Sequence, residues 1–215
     1  MLQLGRLSGF VDWFIADDVR SGSNELRRRR MFLISHLLGP FLGHPITAFL
    51  YVSDPHPWPH VHILGASITL FWLFPPLIKF LPKYYTVFAL LSVQNLIFAI
   101  LWGSYHYGGA SSPFLMWLLV VPLLAFFYMG SIKATRIGVV LQIGFSLGAF
   151  YLAYLWDEKF PSNIPIEHMV GVGIISALSA SLYVFMMASY YAQIVDSPIR
   201  VVAGKSRATR AHSRN

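Results

Sequence analysis

The stretch RRRRMFLISHLLGPFLGHPITAFLYV, residues 27–52, sets four arginines against 22 residues that contain no Asp, Glu, Lys or Arg. As an α-helix rising about 1.5 Å per residue, such a run covers a hydrocarbon core of about 30 Å. Basic residues flanking an apolar run mark the side that stays in the cytoplasm, because Lys and Arg are retained there during insertion. The stretch therefore reads as a first transmembrane helix that starts on the inside.

Working outward, five more apolar runs of similar length follow, at 61–81, 84–104, 113–132, 136–156 and 165–193. Composition agrees: 56% of the 215 residues are hydrophobic and 12% are charged, where soluble domains carry roughly a quarter. The expected fold is all-α, a polytopic membrane protein of six transmembrane helices. Lys and Arg test the count independently. Arg6, Arg20 and the run at 27–30 precede span one, Lys79 and Lys83 mark the turn after span two, and Lys133 and Arg136 the turn after span four. Arg200, Lys205, Arg207, Arg210 and Arg214 follow span six, while the loops after spans one, three and five hold only Lys159. Both termini are expected in the cytoplasm (N-in/C-in), and the net charge of +7 is then topological rather than the footprint of a nucleic-acid binder. With no cysteine, disulfides and thiolate metal sites are excluded.

Three regions result. Residues 1–30 form a cytoplasmic juxtamembrane segment in which Phe10, Trp13 and Phe14 lie at helical spacing beside Asp12, Asp17 and Asp18. Two readings stand for it, a short amphipathic helix on the inner membrane surface and a disordered leader. A cleaved signal peptide is not expected, since the apolar run starts too far from Met1 and is too long. Residues 31–196 form the six-helix domain. Residues 197–215 form a basic tail, expected to be disordered and near anionic lipid.

Helices in lipid associate through close backbone approach and polar contacts. Gly144 and Gly148 in span five, with Gly173, Ala177 and Ser181 in span six, make those spans expected neighbours. Pro40, Pro45, Pro75, Pro76 and Pro122 are expected to bend or break their helices. No charged residue lies near the middle of a span, which argues against an ion- or proton-coupled transporter. The polar residues within spans are few. Gln94, Asn95 and Gln142 read first as interhelical hydrogen bonds, and with His44 as the candidates to line an intramembrane ligand pocket; His36 is the other intramembrane histidine.

The loop after span one reads DPHPWPHVH, residues 54–62. The alternation of spans brings it to the same membrane face as Tyr105-His106-Tyr107, Trp156-Asp157-Glu158 and Glu167-His168. His56, His60, His62, His106 and His168 thus become candidate metal ligands, for zinc or another divalent ion, with Asp54, Asp157, Glu158 and Glu167 as possible partners. Histidine at an outer face also suits a proton sensor. His56 and His60 have i, i+4 spacing, but Pro57 and Pro59 exclude a regular helix between them, so any site has to be assembled across loops. The plain alternative is a stiff, aromatic boundary loop. Enzyme readings fare poorly: the HxxxH match at His56 to His60 stands alone without the HxxHH clusters of membrane di-iron enzymes, and both intramembrane histidines lie in one span, unlike a bis-histidine haem site. No catalytic motif is present, and no resident cofactor is expected.

Six N-in/C-in spans with short loops, the juxtamembrane NELRRRR before span one and a long sixth helix ending MMASYYAQIVDS resemble the N-terminal membrane input domain of bacterial sensor histidine kinases, often hybrid kinases, of two-component systems. The resemblance covers about residues 20–197. Similar six-helix modules precede nucleotide cyclase domains. It implies a sensory module in the bacterial inner membrane, a homodimer in the lipid bilayer, and a sixth helix that passes a signal to a cytoplasmic signalling domain or partner kinase. The chain departs from the family at Ser197-Pro198, where proline is expected to interrupt the helix, and His212 has no phosphoacceptor context. Kinase activity is not expected of this chain itself. A small transporter or a structural subunit of a larger membrane complex is the competing reading.

Overall fold

The computed structural model describes residues 9–15, 23–130, 133–157, 161 and 163–212. Helix α1 (Ser23–Ser53) starts eight residues before the apolar run, because SNELRRRR is itself a good helix start. Glu25 sits in the first turn, where a negative charge complements the helix dipole, and pairs with Arg29 one turn on at 3.0 Å. The arginine run thus lies within the first turns of α1. Ahead of it, a short helical segment at 9–12 is held against α1 by Asp12, whose two carboxylate oxygens accept from Arg30 Nε and Nη2 at 2.7 and 2.6 Å. Val11 and Ile15 are buried beneath it.

Proline punctuates the next spans as expected. The second consists of α2 (His60–Leu70), a 3-10 turn at Phe71–Leu73 and α3 (Phe74–Phe80), with Pro75 and Pro76 in the first turn of α3. There their missing N–H groups cost nothing, and the helix restarts. Helix α4 (Tyr85–His106) has no internal proline and runs unbroken. The fourth apolar run is divided: a 3-10 stretch, Pro113–Leu119, precedes α5 (Val120–Met129). Pro122 cannot donate to the carbonyl four residues back, and the chain ahead of it takes the tighter, longer-rising form. At about 2.0 Å per residue in the 3-10 part and 1.5 Å in the α part, the 17 residues of Pro113–Met129 rise roughly 29 Å. Helices α6 (Lys133–Asp157) and α7 (Ile166–His212) complete the chain.

The described residues are thus almost wholly helical, and five stretches are long and apolar enough to cross a membrane: Asn24–Ser53, His60–Phe80, Pro82–His106, Lys133–Trp156 and Glu167–Ala192. The segment Pro113–Met129 is a shorter apolar helix. Large apolar side chains are exposed around the whole bundle, with Trp156 at 91%, Phe145 at 78% and Phe185 at 71%. In water these would be a liability; in lipid they need no partner.

Helix α4 is central, touching α2, α3, α5 and α6, while α1 packs on α2, α5 and α7. Phe32, Ile78, Ala89, Val93, Val121 and Met187 fill the larger core; Leu50, Val61, Tyr107, Phe114 and Val172 fill a smaller one toward the other end. Two expectations are corrected. Spans five and six do not meet through their small residues: α6 packs on α4 and α5, and a Cβ placed on Gly144 or Gly148 would meet nothing within 4 Å. The reason is polar, since Gln94 Nε2 donates to Ser146 Oγ at 3.1 Å and Gln142 Nε2 donates to the Leu90 carbonyl at 3.0 Å, tying α6 to α4. Helix α7 also continues through Pro198 to His212, where the sequence predicts an interruption at Ser197-Pro198. One interior proline costs about 3 kcal/mol and removes one hydrogen bond of the ladder, and the helix continues on either side of it.

Basic residues collect at one end of the bundle. Arg29 donates to the Pro82 carbonyl at 3.4 Å and lies over the Tyr85 ring, and Arg28 lies beside the Gly130 turn. The histidine-rich loops meet at the opposite end.

Candidate functional site

The loop 54–59 folds so that Asp54, rather than any histidine, is its centre. The Asp54 side chain is 1% exposed. Its Oδ2 accepts from His60 Nε2 at 2.6 Å and from the Tyr107 hydroxyl at 2.8 Å, and its Oδ1 accepts from the His56 backbone N–H at 2.8 Å. Asp54 follows the end of α1, His60 opens α2 and Tyr107 follows α4, so one carboxylate joins three helix ends. Burial alone would raise the Asp54 pKa, but the bonds from His60, His56 and Tyr107 prevail and hold it below the usual 3.8. The carboxylate is therefore charged. Burial, reinforced by that charge, pushes the Tyr107 hydroxyl far up, so it stays protonated and remains a donor.

The His60 ring stacks on His106, centroids 4.7 Å apart and planes at 18°. Trp102 Nε1 donates to the His60 carbonyl at 2.9 Å and its ring lies 4.6 Å from His106. Asn163, in the loop before α7, donates Nδ2 to His106 Nδ1 at 3.2 Å and to the His106 carbonyl at 3.3 Å. With Nδ1 accepting, the ring hydrogen lies on Nε2, which is buried and has no hydrogen-bond partner among the described residues. Gly108, at φ +96°, makes the turn after Tyr107, and a Cβ there would lie 3.2 Å from Met169 Cε of α7. The loops that follow α1 and α4 and the one that leads into α7 are therefore joined, and α7 is attached to the cluster at its start.

Of the five candidate metal ligands, the structure brings two together, His60 and His106. His56, His62 and His168 are exposed, His62 facing Tyr51 and Trp58 at 5.6 and 4.9 Å. Among the described residues no three His, Asp or Glu side chains gather as a ligand set. Of the partners named with them, Glu158 lies outside the described residues. The cluster's chemistry is that of a proton and hydrogen-bond node: a buried carboxylate with three donors, beside a second imidazole.

The intramembrane candidates serve as links between helices. Asn95 and Ser67 form a reciprocal pair, Ser67 Oγ donating to Asn95 Oδ1 and Asn95 Nδ2 to the Ser67 carbonyl, both at 2.9 Å. His44 lies 5.4 Å from Trp72, near the bundle surface. None of His44, Gln94, Asn95 and Gln142 lines the main cavity.

That cavity, of about 100 Å³, lies between α1, α2, α4, α5 and α7. Gly39, Gly43, Leu64, Ala99 and Phe114 are among its walls, and Ser35, Tyr128 and Tyr183 form its polar corner. His36 stands beside this corner, its Nδ1 donating to the Phe32 carbonyl at 2.6 Å and its ring 5.6 Å from Tyr128. Sequence reasoning misses the corner, because a serine and two tyrosines on three different helices carry no spacing signal.

The class defined by these features is an all-helical bundle with several helices able to cross a membrane, an ionised node at one end and an apolar cavity within. No protein-family model matches the chain, and neither a curated protein nor a solved structure matches it.

Proposed function

We propose that this chain is the membrane-embedded sensory input module of a two-component signal-transduction system, a six-span bundle in a bacterial inner membrane with both termini cytoplasmic. The observation that carries the reading is the course of α7. It is attached to the histidine end through Asn163 and Met169, contributes Tyr183 to the central cavity, and continues to His212. Its 47 residues extend about 70 Å at 1.5 Å per residue, more than twice the hydrocarbon thickness of about 30 Å. A helix of that length, touching both candidate input sites and projecting past the basic end, suits the output of a sensor. The roughly 29 Å rise of Pro113–Met129 supports the sixth span, and the gathering of Arg28, Arg29 and Lys83 at one end supports the cytoplasmic assignment of that end.

On this reading the chain acts as a homodimer and passes a shift of α7 to a cytoplasmic signalling domain or partner kinase. A stimulus can drive that shift only by favouring one of two arrangements of the bundle. The test is a fusion of α7, at His212, to the dimerisation and catalytic domains of a sensor kinase, with the junction lengthened one residue at a time. Autophosphorylation is expected to rise and fall with a period of about 3.5 residues, as paired signalling helices require, and to change about threefold or more with Asp54→Asn. Output that ignores both the junction and the bundle substitutions would instead favour a small transporter or a structural subunit.

A further inference from the structure

We propose that the central cavity is a binding site for a small lipophilic molecule whose leading end carries a carbonyl oxygen, such as a ketone or quinone. Three hydroxyls from three helices meet at its corner: Ser35 Oγ of α1 lies within hydrogen-bond reach of both Tyr128 of α5 and Tyr183 of α7. All three residues are buried, at 4%, 2% and 7% exposure. Two short contacts use two of the three hydroxyl hydrogens. The third has only the Tyr128–Tyr183 contact at 3.5 Å, at the limit of a hydrogen bond. One O–H is thus available to an acceptor in the cavity, and among the described residues it is the lining's one uncommitted side-chain donor, because Ser92 Oγ already donates to the Ala89 carbonyl at 2.9 Å and Trp117 Nε1 to Ser176 Oγ at 3.0 Å.

The remaining lining decides the ligand class. Among the described residues no charged side chain borders the cavity, which disfavours an ion or a phosphorylated compound. A water could bond at the hydroxyl corner, but it would leave the apolar remainder of the space, walled by Leu64, Ala99 and Phe114, unfilled. A lipid acyl chain would fill the space but leave the hydroxyl hydrogen unmatched, whereas an apolar body with one acceptor oxygen satisfies both features.

Size supplies the coupling. A cavity of about 150 Å³ accepts benzene, so this one, at about 100 Å³, is slightly too small for a ring. Glycines already bring the walls close: a Cβ on Gly39 would lie 3.3 Å from Tyr183 Cε2, and one on Gly43 3.0 Å from Ile68 Cγ2. A ring seated against the hydroxyl corner therefore presses on α1, α2 and α7, the last of which carries Tyr183. What that pressure does rests on the reading of the chain as an input module; the binding itself does not.

The experiment compares 4′-fluoroacetophenone with 1-fluoro-4-isopropylbenzene, of equal heavy-atom count, by 19F NMR on the full chain in phosphatidylcholine nanodiscs, with empty nanodiscs as the reference. The ketone is expected to bind about tenfold tighter than the hydrocarbon in the wild type, the ratio that one hydrogen bond of about 1.4 kcal/mol supplies. Ser35→Ala with Tyr128→Phe and Tyr183→Phe should bring the two within about twofold of each other, and Ala99→Leu should weaken both. Equal binding of the two probes by the wild type, no binding above empty nanodiscs, or ketone binding unchanged by Ala99→Leu would overturn the proposal. The wild-type ratio needs no variant to fold. Probe binding with an indifferent kinase fusion would sink the input-module reading and leave the site standing.

Discussion

Asp54→Asn is the sharpest probe of the histidine end. The carboxylate accepts three hydrogen bonds, two at Oδ2 and one at Oδ1. An amide cannot reproduce that pattern. With its oxygen at the Oδ2 position it keeps His60 and Tyr107 but sets its NH2 against the His56 N–H; flipped, it opposes the His60 and Tyr107 donors. At least one donor is left unmatched beside a second donor, and the negative charge that strengthened all three bonds is gone. Bonds to a charged group are worth about 1.5–3 kcal/mol each and do not add fully, so the loss should be about 3 kcal/mol, a fall of roughly 6–12 °C in Tm for a chain of this length. The assay is thermal unfolding in detergent at pH 7, followed by tryptophan fluorescence; Trp102, which donates to the His60 carbonyl, is the local reporter. Tyr107→Phe alone should cost about 1–2 kcal/mol, and in the Asp54→Asn background appreciably less, because the charged acceptor has already gone. A loss below about 1 kcal/mol for Asp54→Asn, with strictly additive double-variant behaviour, would refute the buried node.

The same node sets an acid limit. The Asp54 pKa is lowered by folding, so its contribution is fully present above the unfolded value of 3.8 and is lost as pH falls through the folded value. The Tm difference between wild type and Asp54→Asn should therefore be flat from pH 5 to 7 and shrink below about pH 4; a difference that vanishes between pH 6 and 7 would assign it to another group. Asn95→Ala removes the reciprocal pair with Ser67 and should cost about 1–2 kcal/mol, whereas His44→Ala, beside Trp72 at the surface, should stay within about 0.5 kcal/mol. Gly130 turns the chain after α5 at φ +63° and ψ −137°. Gly130→Ala should cost about 1–3 kcal/mol from the backbone conformation, with the Arg28 side chain free to move aside, and unfolding curves in detergent would read it directly.

The helices and their breaks are legible in the sequence because apolar length and proline act locally. Pro75-Pro76 and Pro122 each mark a 3-10 stretch, and the alternation of Lys and Arg groups the loops that meet around Asp54. Apolar length does not mark where α1 starts, since Glu25 and Arg29 extend the helix ahead of the run, and proline does not end α7, which passes through Pro198. Neighbours are harder. Gly144 and Gly148 offer an approach that α6 does not use, since Gln94 and Gln142 hold it to α4. At the histidine end the eye goes to five imidazoles, yet the organising group is Asp54, which the sequence offers only as a partner for metal. The hydroxyl corner is invisible in one dimension: Ser35 lies 93 residues from Tyr128 and 148 from Tyr183. Serines and tyrosines are ordinary in membrane helices, and only their convergence distinguishes these three.

The central claim is that α7 pairs with a second copy and moves when the bundle is perturbed. Because the chain has no cysteine, single cysteines placed in turn at positions 193–212 give a clean disulfide-crosslinking scan in native membranes. Crosslinking maxima are expected every 3 to 4 residues, about the heptad spacing, with a changed pattern in Asp54→Asn and in Tyr183→Phe. Crosslinking that is absent throughout, or periodic but identical in all three proteins, would contradict the claim.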